Sequence, residues 1–134
     1  MASVPDGIAI MRMGRDLLVT LQGDLDDVRV ESVERLVASE VARTGAHGAL
    51  IDVSGVDVVD SFVAQVLARL VRMVRLLGAE AAIVGIRPAV AITLVGLGSS
   101  MPGVSTALNA EQGMARLRRM RADGSVRIDH GKHC

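Results

Sequence analysis

Residues 48–78, "GALIDVSGVDVVDSFVAQVLARLVRMVRLLG", decide the fold class, because a buried strand is followed at once by an amphipathic helix. The run "GALIDV" (48–53) is almost entirely apolar, which is typical of a strand at the centre of a parallel sheet covered on both faces. The segment 61–78 has an apolar stripe at helical spacing, formed by Val63, Leu67, Leu70, Val74 and Leu77. The junction between strand and helix carries Asp57, Asp60 and Ser61.

The segments on either side continue this alternation. Apolar runs predict further strands at 7–13, 16–23 and 80–85, with a short last strand near 104–107, and periodicity predicts helices at 24–45, 87–98 and 109–120. Strands that alternate with helices join through right-handed crossovers in a mostly parallel sheet. We therefore predict an α/β fold: one domain over residues 7–120, with a mostly parallel central sheet of roughly four or five strands packed with about four helices. Residues 121–134 lose all periodicity and are predicted to form a disordered C-terminal tail.

Acidic residues precede both of the first two long helices. Asp26 or Asp27 can cap the first helix, with Asp24 nearby, and either Asp60 or Ser61 can cap the second. Carboxylates at these positions also interact favourably with the helix dipole, so a structural role is the default interpretation. Docking of a basic partner on the first acidic group is the alternative.

The composition excludes several classes of function. Fifteen basic residues balance 15 acidic ones, so the charge indicates neither DNA nor an anionic membrane as a partner. One Phe and no Trp or Tyr provide no stacking surface for the bases of single-stranded nucleic acid. A single cysteine cannot form an intrachain disulfide, and "MASVPDG" does not resemble a signal peptide, so we expect a cytoplasmic protein.

Catalytic and cofactor signals are weak. The histidines are His47, His130 and His133, and none is expected beside Ser61, so a Ser-His-acid triad has no support. The terminal "HGKHC" contains metal-ligand types, but a polar terminus is the favoured interpretation. No phosphate-binding glycine loop is present. We therefore expect no enzyme activity, no metal and no cofactor.

Ser61 allows two interpretations. A serine or aspartate between a strand and a helix is what a helix N-terminus requires, which makes capping the simpler one. Phosphorylation there would instead add roughly −1.5 to −2 charges beside Asp57 and Asp60. The helix dipole would tolerate the phosphate, whereas a partner docked on this surface would encounter a large local change. The second interpretation describes a switch.

The residues that carry a family resemblance lie mainly between 50 and 98. "LIDVSGVDVVDSFVAQVLARLVRMVRLLGAEAAIVGIRPAVAITLVGLG" closely resembles the STAS domain of bacterial stress-signalling proteins. Its second part, "LLGAEAAIVGIRPAVAITLVGLG", is specific to the stressosome branch, and the short chain with serine at the junction resembles the RsbS-like scaffold type. "LDDVRVE" and "LNAEQGMARL" also fit, so the resemblance covers roughly residues 7–120.

This resemblance implies a phospho-regulated scaffold of a stress-response assembly. Ser61 would be the main acceptor for an RsbT-like serine kinase, which the unphosphorylated scaffold sequesters, and Thr93 would be a possible second site. Asp57, Asp60, Ser61 and Phe62 would form the partner-binding surface. The other implied partners are an RsbR-like sensor-bearing STAS paralogue and further copies of the chain, from dimer to larger assembly, with no nucleic acid and no membrane.

Two alternatives remain open. One is a stand-alone anti-sigma factor antagonist, although such proteins usually carry Ser-Gly or Thr-Gly after the acceptor serine, where this chain has Phe62 and Val63. The other is an enzyme or nucleotide-binding protein, which would need a general base or a phosphate loop that the sequence does not show.

Overall fold

The computed structural model describes residues 7–96 and 104–133, without the side chains of residues 93, 94, 96 and 123–133. Within these residues the chain forms one five-stranded sheet in the order β1-β2-β3-β4-β5. The strands and helices are β1 (Ile8–Met13), β2 (Asp16–Gly23), α1 (Asp27–Thr44), β3 (Gly48–Val56), α2 (Ser61–Leu76), β4 (Glu80–Val84), α3 (Pro88–Gly96), β5 (Ser105–Ala107) and α4 (Ala110–His133). This confirms the predicted α/β class and the order of its elements.

The sheet is parallel except at one edge. β1 runs antiparallel to β2, and the two are joined by the turn at Gly14 and Arg15. Gly14 adopts a φ of 62°, a left-handed conformation that glycine reaches without a steric penalty. β2, β3, β4 and β5 are parallel neighbours, so their carboxyl ends lie at one edge of the sheet. Loops at that edge are where α/β folds usually place their binding residues.

The central strand is buried on both faces, as its apolar sequence predicted. Ala49 and Ile51 belong to the larger core, which α1 and α2 cover. Leu50, between them, faces the other way and packs in a second cluster with Leu117 of α4. β3 is also longer than predicted, because its pairing with β2 continues to Val56.

Helix ends follow the capping residues. Asp26 caps α1 by accepting a hydrogen bond from the Arg29 N–H at 2.9 Å, and Gly45 ends it in the left-handed conformation. Four of the five predicted stripe residues of α2 are buried, but Leu77 is 45% exposed and that assignment was wrong. The reason is that α2 ends at Leu76, which leaves Leu77 as the C-cap beyond the helical face. Gly98, the last residue of the helix predicted at 87–98, lies outside the described residues.

The last helix is held by a buried ion pair. Asn109 caps α4, accepting from the Gln112 N–H at 2.9 Å. Arg121 lies 2.6 Å from Asp16 of β2, whose side chain is 3% exposed. Arg121 thus contacts the body of the domain, although we predicted the tail to begin there. The backbone of α4 continues as a helix to His133, whereas the sequence predicted its end at residue 120. Disorder of residues 121–134 stays a prediction, since the side chains from residue 123 lie outside the description.

The four helices give no candidate for a membrane span. In the part of the chain that the structure covers, no helix is both long enough and apolar enough to cross a bilayer.

Candidate functional site

The junction between β3 and α2 places Ser61 at the start of a helix. Asp60 is the N-cap: its side chain accepts a hydrogen bond from the Val63 N–H at 2.9 Å. The Asp60 carbonyl also accepts from the Ala64 N–H at 2.9 Å, which is the first bond of the helix. Of the two predicted caps, Asp60 therefore has this role, and Ser61 is the first helical residue.

Ser61 lies between buried and exposed neighbours. Val59 before it and Val63 after it are in the core, at 7% and 4% exposure. Asp60 and Phe62 are exposed, and Ser61 itself is half-buried. The serine is thus positioned by side chains that pack inward on both sides, at the carboxyl edge of the parallel strands.

The loop before α2 is fixed from two directions. The Asp57 N–H donates to the carbonyl of Gly23 at 3.1 Å, which joins the loop to the end of β2. Arg87, just before α3, donates to the carbonyl of Val56 at 3.1 Å. These bonds hold the start of the loop, at Val56 and Asp57, against the neighbouring elements. We infer a rigid presentation of Ser61, because the backbone on its N-terminal side is anchored before the helix begins.

Arg87 is a site residue that sequence reasoning missed. It places a guanidinium group beside an otherwise acidic loop. No local pattern could have identified it, because its partner is a backbone carbonyl 31 residues earlier in the chain. From the sequence alone, an arginine before a proline is indistinguishable from an ordinary surface residue.

The surface around Ser61 combines carboxylates with exposed apolar side chains. We use the name switch surface for Asp57, Asp60, Ser61 and Phe62, which lie on the junction predicted from the sequence. Asp57 and Asp60 are both exposed, and Phe62 is 43% exposed. Val58, at 59% exposure, lies in the same loop. An exposed apolar group with a charged rim is typical of a protein-binding surface.

The first acidic group lies at the same end of the sheet. β2 and β3 are parallel, and Gly23 at the end of β2 pairs with Val56 at the end of β3. The loop with Asp24 and Asp26 therefore follows β2 where the switch surface follows β3. Asp26 has the structural role that was the default interpretation, because it caps α1.

Other predicted candidates are not brought to this place. His47 directly precedes β3, and is therefore at the opposite end of that strand from Ser61. Thr93 lies in α3, and its side chain is outside the described residues, as are those of His130, His133 and Cys134. Among the side chains that the structure does describe, no group of three or more His, Cys, Asp or Glu could hold a metal ion.

A shallow cavity of about 270 Å³ lies on the other side of the same edge, lined by Asp52, Ser54, Gly85 and Asn109 among others. Asp52 accepts a hydrogen bond from the Ser54 N–H at 2.9 Å, so its carboxylate already has a backbone partner. The cavity is smaller than typical small-molecule sites, which occupy roughly 300–1,000 Å³. We assign it no ligand.

With this geometry in place, comparison with known proteins identifies the class. The sequence model of the STAS domain matches residues 6–106. The chain therefore belongs to the STAS domain family, which confirms the resemblance that the sequence indicated.

Within this family the chain is similar to proteins of the stressosome. A serine-to-glutamate variant of RsbS from Moorella thermoacetica has 30% sequence identity and a TM-score of 0.68, over 86% of this chain and 97% of that one. A structure described as the molecular architecture of the stressosome, a signal integration and transduction hub, has 30% identity and a TM-score of 0.65, over 84% of this chain and 98% of that one.

A curated relative is the RsbT co-antagonist protein RsbRC of Bacillus subtilis. It is 39% identical over 88 residues, which are 66% of this chain and 31% of the relative. This chain thus spans about a third of the length of the curated co-antagonists that it matches first. The anti-sigma factor antagonist SpoIIAA has a TM-score of 0.60 at 13% identity, a likeness that shows the shared fold alone.

Proposed function

We propose that this chain is a phospho-regulated scaffold subunit of a bacterial stressosome. In its unphosphorylated form it sequesters an RsbT-like serine kinase, and phosphorylation of Ser61 releases that kinase to act in a stress-response pathway. The observation that supports this most is the junction itself: a half-buried serine at the first position of α2, next to an independent cap and an exposed surface. Similarity to RsbS over nearly the whole of both chains supports the scaffold role.

The physical basis of the switch is a local change of charge. A phosphate on Ser61 adds roughly −1.5 to −2 charges at a helix N-terminus, where the dipole favours an anion by about 0.3–1 kcal/mol. Asp57 and Asp60 repel the phosphate, but the Asp60 oxygen keeps its bond to the Val63 N–H. The fold is therefore retained, while a partner docked on Phe62 and Val58 meets new negative charge.

The relatives suggest the partners. Proteins named as RsbT co-antagonists share this domain, which supports an RsbT-like kinase as the ligand and an RsbR-like sensor-bearing paralogue as a neighbour in the assembly. Similarity to a structure of the stressosome supports self-association, from dimer to larger assembly. Thr93 in α3 is a possible second phosphorylation site, and the whole system is cytoplasmic.

The test is intact-mass analysis after incubation with ATP and an RsbT-like kinase from the same organism. We expect one phosphate on the wild-type chain and none on Ser61→Ala. Ser54→Ala is the matched control, because Ser54 is an exposed serine at the same edge of the sheet and should leave the phosphate in place. Phosphate retained on Ser61→Ala but lost on Thr93→Ala would move the switch to α3 and contradict the proposal.

A binding measurement completes the test. Immobilised wild type and Ser61→Ala should both capture the kinase. Ser61→Glu should capture less of it or none, because glutamate places a permanent negative charge at the junction. Equal capture by all three chains would contradict release by phosphorylation. Capture of an anti-sigma factor kinase in place of the RsbT-like kinase would favour the stand-alone antagonist.

A further inference from the structure

The first strand has an unpaired side. Within the described residues β1 has a single neighbour in the sheet, β2. The Gln22 N–H donates to the Gly7 carbonyl at 2.8 Å, so this pair is hydrogen-bonded. Hydrogen-bonded and non-hydrogen-bonded pairs alternate along an antiparallel ladder. The backbone groups of Ile8, Ile10 and Arg12 therefore point away from β2, toward the open side.

This edge lacks the features that normally prevent strands from pairing with other chains. Proteins protect edges by short strands, proline, bulges or projecting charges. The opposite edge strand, β5, has three residues, whereas β1 has six, with regular pairing and no proline. The charged side chain in β1, Arg12, bends back along its own strand to donate to the Gly14 carbonyl at 3.2 Å. Among the residues that the structure describes, no strand other than β2 pairs with the backbone of β1.

Apolar side chains accompany the open backbone on both faces of the strand. On one face Met11 is 60% exposed and Ala9 is also exposed. They are left open because α4 packs on β3, β4 and β5. On the other face Ile10 packs at the border of the main core and is half-buried. A strand added at this edge would cover all three.

We propose that β1 is a homotypic docking edge, which pairs antiparallel with β1 of a second copy about a two-fold axis at Ile10. Ile10 then faces its own counterpart, and Ile8 faces Arg12 of the second copy. About six interchain hydrogen bonds form, since three outward-pointing residues on each chain donate and accept. The two sheets become one continuous sheet across the axis.

The edge of β1 is self-complementary, which favours a second copy of this chain as the partner that pairs with it. In this register Met11 lies opposite Ala9 of the other chain, so a large exposed side chain covers a small one. Each Arg12 lies opposite an isoleucine, so no like charges face each other across the axis. The same patch is used by both chains, as a two-fold interface requires.

The inference adds a contact surface to the proposed function but does not depend on it. The switch surface follows β3, and β1 is separated from β3 by β2. Pairing through β1 therefore needs neither the kinase nor a phosphate on Ser61. A failure of this interface would leave the proposed phosphorylation untouched, and the reverse holds as well.

Disulfide capture tests the register. The chain has one cysteine, so Cys134→Ser gives a cysteine-free background for Ile10→Cys. Directly opposed residues of a hydrogen-bonded pair lie about 5.5 Å apart at Cα, within the range that a disulfide spans. Oxidation of the purified full chain should give a covalent dimer on a non-reducing gel. Arg35→Cys, exposed on α1, is the control and should give no covalent dimer.

A proline substitution tests the backbone contact. Arg12→Pro removes an outward N–H without removing a bond to β2, whereas Arg12→Ala keeps that N–H and removes the same side chain. In sedimentation velocity over a range of concentrations, Arg12→Ala should dimerise like wild type. Arg12→Pro should raise the dimer dissociation constant roughly tenfold or more.

The two experiments can support or overturn pairing through β1. Capture through Ile10→Cys with selective loss in Arg12→Pro supports the homotypic edge. A wild-type chain that stays monomeric and gives no covalent dimer overturns it, as does equal capture through Arg35→Cys. Capture of Ile10→Cys only by an added RsbR-like paralogue carrying a cysteine in its own first strand would also overturn it, in favour of a mixed edge. If Arg12→Pro does not fold by circular dichroism, Met11→Lys replaces it, with the same weakening expected.

Discussion

At the scale of single residues, Asp60 and Ser61 have separate roles. Asp60 supplies the side-chain oxygen that the first turn of α2 needs. Ser61 follows it at the first helical position, so a phosphate there would not remove the cap. This separation lets a site be modified without loss of the helix that presents it, because the two requirements rest on different side chains.

Substitution of Asp60 should therefore lower the free energy of unfolding even though Ser61 is retained. We expect Asp60→Ala to lower the free energy of unfolding by about 1 kcal/mol, and Asp60→Asn to retain most of it, because asparagine caps almost as well. Urea unfolding measures both. Asp57→Ala is the matched control: its side chain is exposed, and its bond to Gly23 comes from the backbone, so a change within about 0.5 kcal/mol is expected. An equal loss for Asp57→Ala would contradict the assignment of the cap.

At the scale of elements, α2 connects the switch surface to the core. Seven of its residues are buried, spread from the first turn to the last. Ser61 is therefore held at the end of a helix that is fixed along its length on the sheet. The helix ends before Leu77, and Leu76 in its last turn is 88% exposed. Position on the helical face, not hydrophobicity alone, decides which leucine is buried.

Two leucines of α2 provide a test of this packing. Leu67 is 0% exposed and Leu76 is 88% exposed, although both lie on the same helix. Leu67→Ala should cost about 2–5 kcal/mol of unfolding free energy, because it removes buried methyl groups and leaves a cavity. Leu76→Ala should change it by less than about 0.5 kcal/mol. Thermal or urea unfolding of the two variants gives the comparison, and similar losses would show that α2 packs by a different face.

The other helix with a distinct attachment is α4. Leu117 packs on the sheet, and Arg121 forms the ion pair with Asp16. Gly48 lies against this pair, since a Cβ atom there would approach the Asp16 carboxylate to 2.7 Å. The start of β2, the start of β3 and the fourth turn of α4 are thus joined at one largely buried point.

Breaking this pair should be costly. Arg121→Ala leaves the Asp16 carboxylate buried without its cation, and we expect a loss of about 3 kcal/mol, at the low end for a broken buried pair because Arg121 is 27% exposed. Adding Asp16→Asn should recover part of the loss, since a neutral amide is cheaper to bury than a charge. A double-mutant cycle in urea measures the coupling between the two positions. Additive losses would mean that the pair contributes no coupling.

At the scale of the whole molecule, the two ends of the sheet have different contents. The switch surface lies after the carboxyl ends of the parallel strands, whereas Asp16 and Arg121 meet at the amino ends of β2 and β3. The attachment of the C-terminal helix is therefore separated from Ser61 by the length of the central strand. Changes in the C-terminal segment should affect stability without affecting phosphorylation.

Truncation tests this separation and the predicted tail together. A chain that ends after Ala122 keeps Arg121 and should unfold with a free energy within about 0.5 kcal/mol of the full chain. A chain that ends after Met120 lacks the ion pair and should lose about 3 kcal/mol. If the proposed function holds, both should accept phosphate on Ser61 to the same extent as the full chain, measured by intact mass. A large loss of stability in the chain that ends after Ala122 would show that residues 123–134 pack on the domain.

Many strands, helices and helix caps were predictable because they depend on residues within about one helical turn of each other in the sequence. The apolar run of β3, the stripe of α2 and the caps Asp26 and Asn109 all rest on spacing or on bonds three residues apart. The alternation of strands and helices then restricted the topology to a mostly parallel sheet. Ser61 could be singled out in the same way, as a hydroxyl at a strand–helix junction.

The choice between Asp60 and Ser61 as cap was made only by backbone geometry at the start of α2. The bond from Arg87 to Val56 and the ion pair between Asp16 and Arg121 join residues 31 and 105 positions apart. The open side of β1 follows from the strand order, which no single segment encodes. Sequence by itself determined the elements and the candidate serine, because local hydrogen bonds and side-chain spacing produce them. Tertiary structure alone decided which groups meet, which are covered and which edge stays open, because those outcomes depend on how distant elements pack together.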